Sequence, residues 1–234
     1  MRRLIPLVAA VAVVLGGCQY PKDPDGTFNR VTGGTMRVGV TNAPPWAELK
    51  DGKPVGGLEV ELVEDFARVH GAKIQWVDGS EEELMHAMKE GAIDMVIGGI
   101  TAKSRWKKEA AFTKPYLKSQ TVIGAPPGSS VDPKLKMARV NVERGSEEAG
   151  LAEKKFKSAD IRVEETLTGA NGEPVIAPAY VLDDLKYQQL KPLKKDKHVL
   201  ALPLGENAWM VEWERFILGR EPELGARLME VGKP

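Results

Sequence analysis

IDMVIGGITAKSRW, Ile93 to Trp106, is the stretch on which the reading of this chain turns. Ile93, Met95, Val96 and Ile97 form a short apolar run of the kind that makes a buried strand. Gly98 and Gly99 end it, and Thr101, Ser104 and Arg105 follow within a few residues. Such an exit is either a plain turn or a loop that bares backbone N–H groups and a guanidinium to something anionic. Working outward, Met36–Val40 (MRVGV) and Lys73–Val77 (KIQWV) are two more strand-like runs. Between them, Leu58–Gly71 places Val60, Val63 and Ala67 at helical spacing. Before Ile93, Ser80 and Glu83 form a capping box, Leu84, Met85 and Met88 an apolar stripe, and Gly91 a helix stop. Strand, helix, strand, helix, strand predicts a parallel sheet wound with helices. Ligands of such sheets sit beyond the C-terminal strand ends, and both NAPPW (Asn42–Trp46) and the Gly98 loop leave from that edge.

A second small α/β unit is expected from about residue 120 to 196. Strands are read at Lys118–Ala125, Ala138–Val142, Ile161–Glu165 and Glu173–Ala177. A helix with Glu147 and Glu148 in its first turn follows ERGS, and another is expected over Tyr180–Leu190. Lys191, Lys194, Lys195 and Lys197 read as a solvated loop before the apolar run His198–Leu204. The final helices return to the first unit, with Trp209, Trp213, Phe216 and Ile217 on one core-facing side.

Thirty-three basic and 33 acidic side chains cancel, so no global field draws the protein to nucleic acid. His70, His86 and His198 lie far apart in the chain without paired-ligand spacing, so no metal or cofactor is expected. The N-terminus carries the local signal. Met1–Arg3 is cationic, Leu4–Gly17 is apolar and too short to span a bilayer, and Cys18 is the one cysteine. The segment LGGC resembles the lipobox of bacterial lipoproteins, which implies cleavage before Cys18, lipidation of its thiol, and anchoring of the protein to a membrane in the periplasm or at the cell surface. The alternative is a plain secretory signal with an incidental cysteine. Residues 1–17 are then signal peptide, and 18–35, rich in Pro, Gly and polar residues, a flexible tether.

The order of motifs over residues 36–124 resembles the family-3 extracellular solute-binding proteins: PPW at Pro44–Trp46, DGKPVGGLEVEL at Asp51–Leu62, GAIDMVIGGIT at Gly91–Thr101, and FTKPY at Phe112–Tyr116. The resemblance is fair over 137–218. It implies an α/β, bilobal type II periplasmic-binding-protein fold, with two small lobes joined by two crossing strands that close on a small solute. Residues 36–118 and 198–234 would form lobe 1 and residues 119–197 lobe 2. Carried across, Trp46 would be an aromatic wall, Gly99 and Thr101 would offer backbone and hydroxyl contacts, and Arg105 would clamp a carboxylate. From lobe 2, Gly145 and Ser146 would offer N–H and hydroxyl groups at a helix start.

Two departures stand out. Thr101 and Arg105 are one residue closer than in the family, and a loop so shortened can turn Arg105 to solvent and Trp106 inward. Pro178 stands where the family has the aspartate that holds an ammonium; Asp183, Glu164 and Glu165 are candidate substitutes. The resemblance implies a non-catalytic, lipid-anchored, monomeric receptor for an anionic or zwitterionic solute that serves an ABC permease. Two alternatives stay open: a degenerate, partner-binding lipoprotein, and a cyclohexadienyl-dehydratase-like enzyme using Glu206 or Glu173 as its acid.

Overall fold

A computed structural model describes residues 22–132, 134–136 and 138–231. The expected signal peptide, Cys18 and the start of the expected tether lie outside them. In chain order the elements are α1 (Thr27–Val31), β1 (Thr35–Val40), β2 (Glu48–Lys50), β3 (Lys53–Gly56), α2 (Leu58–Val69), β4 (Lys73–Asp78), α3 (Glu81–Lys89), β5 (Met95–Ile97), β6 (Ala111–Phe112) and β7 (Leu117–Ala125). The chain continues through β8 (Arg139–Glu143), α4 (Glu147–Lys155), β9 (Asp160–Glu164), β10 (Val175–Pro178), α5 (Leu182–Leu185), β11 (Gln188–His198), β12 (Ala201–Leu202), α6 (Asn207–Leu218) and α7 (Glu221–Val231).

One sheet runs β4-β1-β5-β12-β6, with β1 parallel to both β4 and β5. The wound arrangement follows from the apolar periods: α2 buries Leu62, Val63 and Phe66, while α3 buries Leu84, Met85 and Met88. The expected capping box forms, Ser80 accepting from the Glu83 N–H while the Glu83 carboxylate accepts from the Ser80 N–H. Trp209 and Trp213 are fully buried; Trp213 stacks on Phe66 at 3.9 Å and the Trp209 indole N–H donates to the Asp94 carbonyl at 3.0 Å.

The second sheet runs β11-β7-β10-β8-β9. The two strands that cross between the sheets, β7 and β11, pair antiparallel from His198 opposite Leu117 to Gln188 opposite Ala125, with irregularities at Gln189/Lys191 and Pro192/Lys194. This differs from the expected helix over 180–190 and the loop of lysines after it. Lys186 adopts a left-handed conformation, φ 56°, that stops α5 after one turn, and the polar run that follows pairs with β7 as an edge strand. An edge strand buries little, which is why its composition reads as loop.

Residues 22–35, expected to be flexible tether, are also corrected. Asn207 and Ala208 donate N–H bonds to the Lys22 carbonyl at 2.7 and 3.2 Å, Arg30 pairs with Asp94 at 2.7 Å, and Val31 is fully buried. Glu206 accepts from the N–H groups of Asp25 and Thr27, and the Asp23 carboxyl faces it. Burial and the neighbouring Glu206 carboxylate push Asp23 up to about 6. A raised carboxyl stabilises the fold below its unfolded value near 4 and loses that contribution as pH rises through about 6. Asp23→Asn keeps the size and shape of the side chain without the titration. It should gain about 1 kcal/mol at pH 7.5, discounted for partial exposure, and nothing at pH 4. Thermal midpoints at the two pH values check this; an equal effect at both would mean that the titration of Asp23 is not the cause.

Candidate ligand cleft

A cleft of about 680 Å³ opens between the two sheets, at the C-terminal ends of β1, β5, β8 and β10. Trp46, Gly99 and Thr101 line it from the first sheet, Ser119, Thr121 and His198 from the crossing strands, and Glu143, Ser146 and Tyr180 from the second. Trp46, Gly99, Thr101, Gly145 and Ser146 are thus brought together; Arg105 is not.

Arg105 starts a 3₁₀ turn, Arg105–Lys108, capped by Ser104, whose hydroxyl accepts from the Trp106 N–H. The turn sends Trp106 inward to the core beside Met85 and Val199 and leaves Arg105 exposed, paired with Glu82 at 2.9 Å. The carboxylate clamp expected at Arg105 is therefore withdrawn, and the short Thr101–Arg105 loop is its cause.

The two glycines have a different partner from the one expected. The Gly98 and Gly99 N–H groups donate to one oxygen of Glu59, at 2.6 and 3.0 Å, and the Tyr116 hydroxyl donates to the other. Glu59 comes from the first turn of α2 and is fully buried. Burial raises its carboxyl pKa, while Tyr116, Gly99 and Gly98 pull it back. The anion that the loop binds is thus the protein's own. Gly99 contributes surface to the cleft but not its N–H. A Cβ there would lie 2.4 Å from Trp46 Cδ1, at φ +73°, so the indole packs directly on the glycine.

Trp46 stacks on the His198 ring at 3.7 Å and meets Tyr116 edge-on. His198 Nε2 lies 2.8 Å from Ser119 Oγ, and Nδ1 lies 3.3 Å from the Gly99 carbonyl. Burial lowers the His198 pKa, which keeps the ring neutral, so Nδ1–H donates to Gly99 and Nε2 accepts from Ser119. A hydroxyl–imidazole pair therefore exists where the sequence showed none. Its orienting group is a carbonyl, which cannot stabilise an imidazolium as a carboxylate does.

Lobe 2 supplies acids. Ser146 caps α4, its hydroxyl accepting from the Ala149 N–H at 3.2 Å and donating to the Glu143 carbonyl at 2.8 Å. Glu148 accepts from Thr121 Oγ1 at 2.8 Å. Burial raises both the Glu148 and Glu143 carboxyls, and the Glu148 charge adds to the shift of Glu143. Tyr180, in the same lining, is raised by burial and by both of these charges. With Glu48, Glu147 and Asp196 the cleft holds five carboxylates, and neither lysine nor arginine is among the described residues that line it. Lys194, nearby, has its ammonium paired with Glu147 and with Asp196 at 3.0 Å. Of the anionic or zwitterionic solute expected from the sequence, the sign opposes the anionic form and suits a group of positive charge.

The other expected acids lie elsewhere. Glu165 pairs with Arg144 at 2.6 Å, Glu173 with Arg139 at 2.7 Å, and Glu206 accepts from the Asp25 and Thr27 N–H groups, while Asp183 and Glu164 are not in the lining. Pro178 does line the cleft, opposite Thr121 in the β10–β7 pair. Glu143 and Glu148 are the acids that sequence reasoning missed. Both flank the GS turn, and read from sequence Glu148 only complements the helix dipole. Among the described residues no group of three or more His, Cys, Asp or Glu could hold a metal ion, and no helix is long and apolar enough to cross a membrane.

Residues 36–211 match the model of the bacterial extracellular solute-binding proteins, family 3. A probable histidine-binding protein of Campylobacter jejuni is 32% identical over 118 residues, covering 50% of this chain and 46% of the relative. An arginine-binding extracellular protein of Bacillus subtilis is 31% identical over 101 residues, covering 42% and 40%. The match thus spans less than half the length of either relative. Among solved structures, an ancestral cationic amino acid solute-binding protein superposes with a TM-score of 0.69 at 19% identity, covering 88% of this chain and 97% of that one. The bilobal type II periplasmic-binding fold expected from the sequence is the fold observed, and the chain belongs to the family-3 bacterial extracellular solute-binding proteins.

Proposed function

We propose that the protein is a lipid-anchored, extracytoplasmic receptor whose lobes close on a small organic cation and deliver it to an ABC permease. The acidic cleft carries this reading: of the five carboxylates in its lining, Lys194 pairs with Glu147 and Asp196, while Glu48, Glu143 and Glu148 have no lysine or arginine partner among the described residues. A cation entering there gains Coulomb energy from Glu143 and Glu148 at reduced dielectric, the more so because both are partly desolvated already. Trp46 would form the aromatic wall, with Thr101 and Ser119 as neutral polar contacts. The names of the two relatives, one histidine-binding and one arginine-binding, agree with a cationic solute. Contacts from both lobes favour the closed state by their differential affinity, and β7 and β11 are the segments that would twist. Lipidation of Cys18 and the permease rest on the sequence resemblance. The reading is of a receptor and not an enzyme, because Glu173 and Glu206, the candidate catalytic acids, are spent outside the cleft on Arg139 and on the N–H groups of Asp25 and Thr27.

Titration of the full chain with organic cations and with small dicarboxylates tests it. A cation at a hundred times its dissociation constant should stabilise by about 2.7 kcal/mol, a midpoint rise of about 5–10 °C. Dicarboxylates should produce none. Glu148→Gln should weaken cation binding at least tenfold, whereas Arg105→Ala should leave it unchanged. Stabilisation by dicarboxylates alone, lost in Arg105→Ala, would restore the clamp and overturn the cationic reading.

A further inference from the structure

The charged groups and the paired N–H groups best suited to hold a solute carboxylate are already engaged. The Gly98 and Gly99 N–H pair is filled by Glu59, and Arg105 is turned out to Glu82. Ser146 donates to the Glu143 carbonyl, and the start of α4 is flanked by Glu143, Glu147 and Glu148. The ring N–H of His198 faces the Gly99 carbonyl, and Lys194 is held between Glu147 and Asp196. A carboxylate entering this cleft would lose its water, meet like charge from both lobes and find no lysine or arginine among the described residues of the lining. An ammonium or guanidinium meets the reverse: two carboxyls of the lining, Glu143 and Glu148, the second accepting from the Thr121 hydroxyl at 2.8 Å. Specificity is a difference of affinities, and here repulsion of the carboxylate supplies it.

We infer that the cleft selects a small organic cation that lacks a carboxylate, of the alkyldiamine or aminoalkylguanidine class, over the amino acid with the same side chain. This rests on the cationic-receptor reading above and narrows it.

Three matched pairs that differ only by the carboxylate decide it: arginine against agmatine, lysine against cadaverine, ornithine against putrescine. Isothermal titration of the full chain at one fixed ionic strength should show the amine binding at least tenfold more tightly in each pair. Glu148→Gln should reduce that ratio, because it removes a charge that attracts the amine and repels the carboxylate. Amino acids binding as tightly as their amines, or more tightly, would overturn the inference and leave the cationic receptor standing. No binding by either member of any pair would overturn both. A ratio unchanged in Glu148→Gln would also count against it, since selection would then not come from the acids of the cleft.

Discussion

Glu59→Ala should lower the thermal midpoint by about 10 °C and loosen the loop that floors the cleft. The carboxylate is the partner of three buried donors, the N–H groups of Gly98 and Gly99 and the hydroxyl of Tyr116. Deleting it strands all three, and an unsatisfied buried donor costs about 1–3 kcal/mol. Relief of a desolvated charge offsets part of that, leaving about 3–4 kcal/mol. At roughly 2–4 °C per kcal/mol for a chain of this size, the midpoint shift follows. Glu59→Gln should fall between the two, because its one carbonyl oxygen can still accept from the paired N–H groups. Differential scanning calorimetry of the three proteins checks the order. A midpoint for Glu59→Ala within 2 °C of the parent would mean that the loop holds its shape without the carboxylate. Tyr116 directly precedes the crossing strand β7, so the same substitution should also disturb the hinge. Slower or incomplete closure would be read as weaker solute binding.

Gly99→Ala should cost about 2–4 kcal/mol and disturb the Trp46 wall. Two effects combine there. A side chain at φ +73° sits in the left-handed region, which costs about 1–2 kcal/mol. The added Cβ also falls 2.4 Å from Trp46 Cδ1, so the indole must leave its stack on His198. Gly91→Ala separates the two contributions: its φ is +72°, with nothing within 4 Å of the added atom. That variant should lose only the conformational part, about 1 kcal/mol, and keep its affinity. Equal losses at the two positions would show that the packing of Trp46 on Gly99 is slack. The double variant Glu59→Ala, Gly99→Ala should lose less than the sum of the single ones, because both act on one loop.

The first sheet is legible in the chain because its periods are clean. Val60, Val63 and Ala67 can only be one face of a helix, and Ser80 with Glu83 announces where the next begins. The second half is less legible. Nothing local distinguishes the lysine-rich run of β11 from a loop, since its pairing with β7 is made across a long sequence separation. The cleft divides in the same way. Trp46, Thr101 and Ser146 follow from loops at strand ends, which topology places in advance. The sign of the cleft does not, because Glu48, Glu143, Glu148 and Asp196 are scattered over the chain and converge only on folding. The fate of Arg105 turns on one residue of loop length, and that of the Gly98 and Gly99 N–H groups on a glutamate some forty positions earlier.

The docking of residues 22–35 changes what an anchor at Cys18 would mean. A tether from 18 to 35 could reach about 60 Å when extended, whereas from Cys18 to the pinned Lys22 carbonyl the reach is about 14 Å. That is less than the radius of gyration of a globule this size, about 17 Å. With a lipid on Cys18, the body would ride against the bilayer with few orientations open to it, like a buoy on a short chain. The cleft would then face a fixed direction, and its search for a permease would be a two-dimensional one along the membrane.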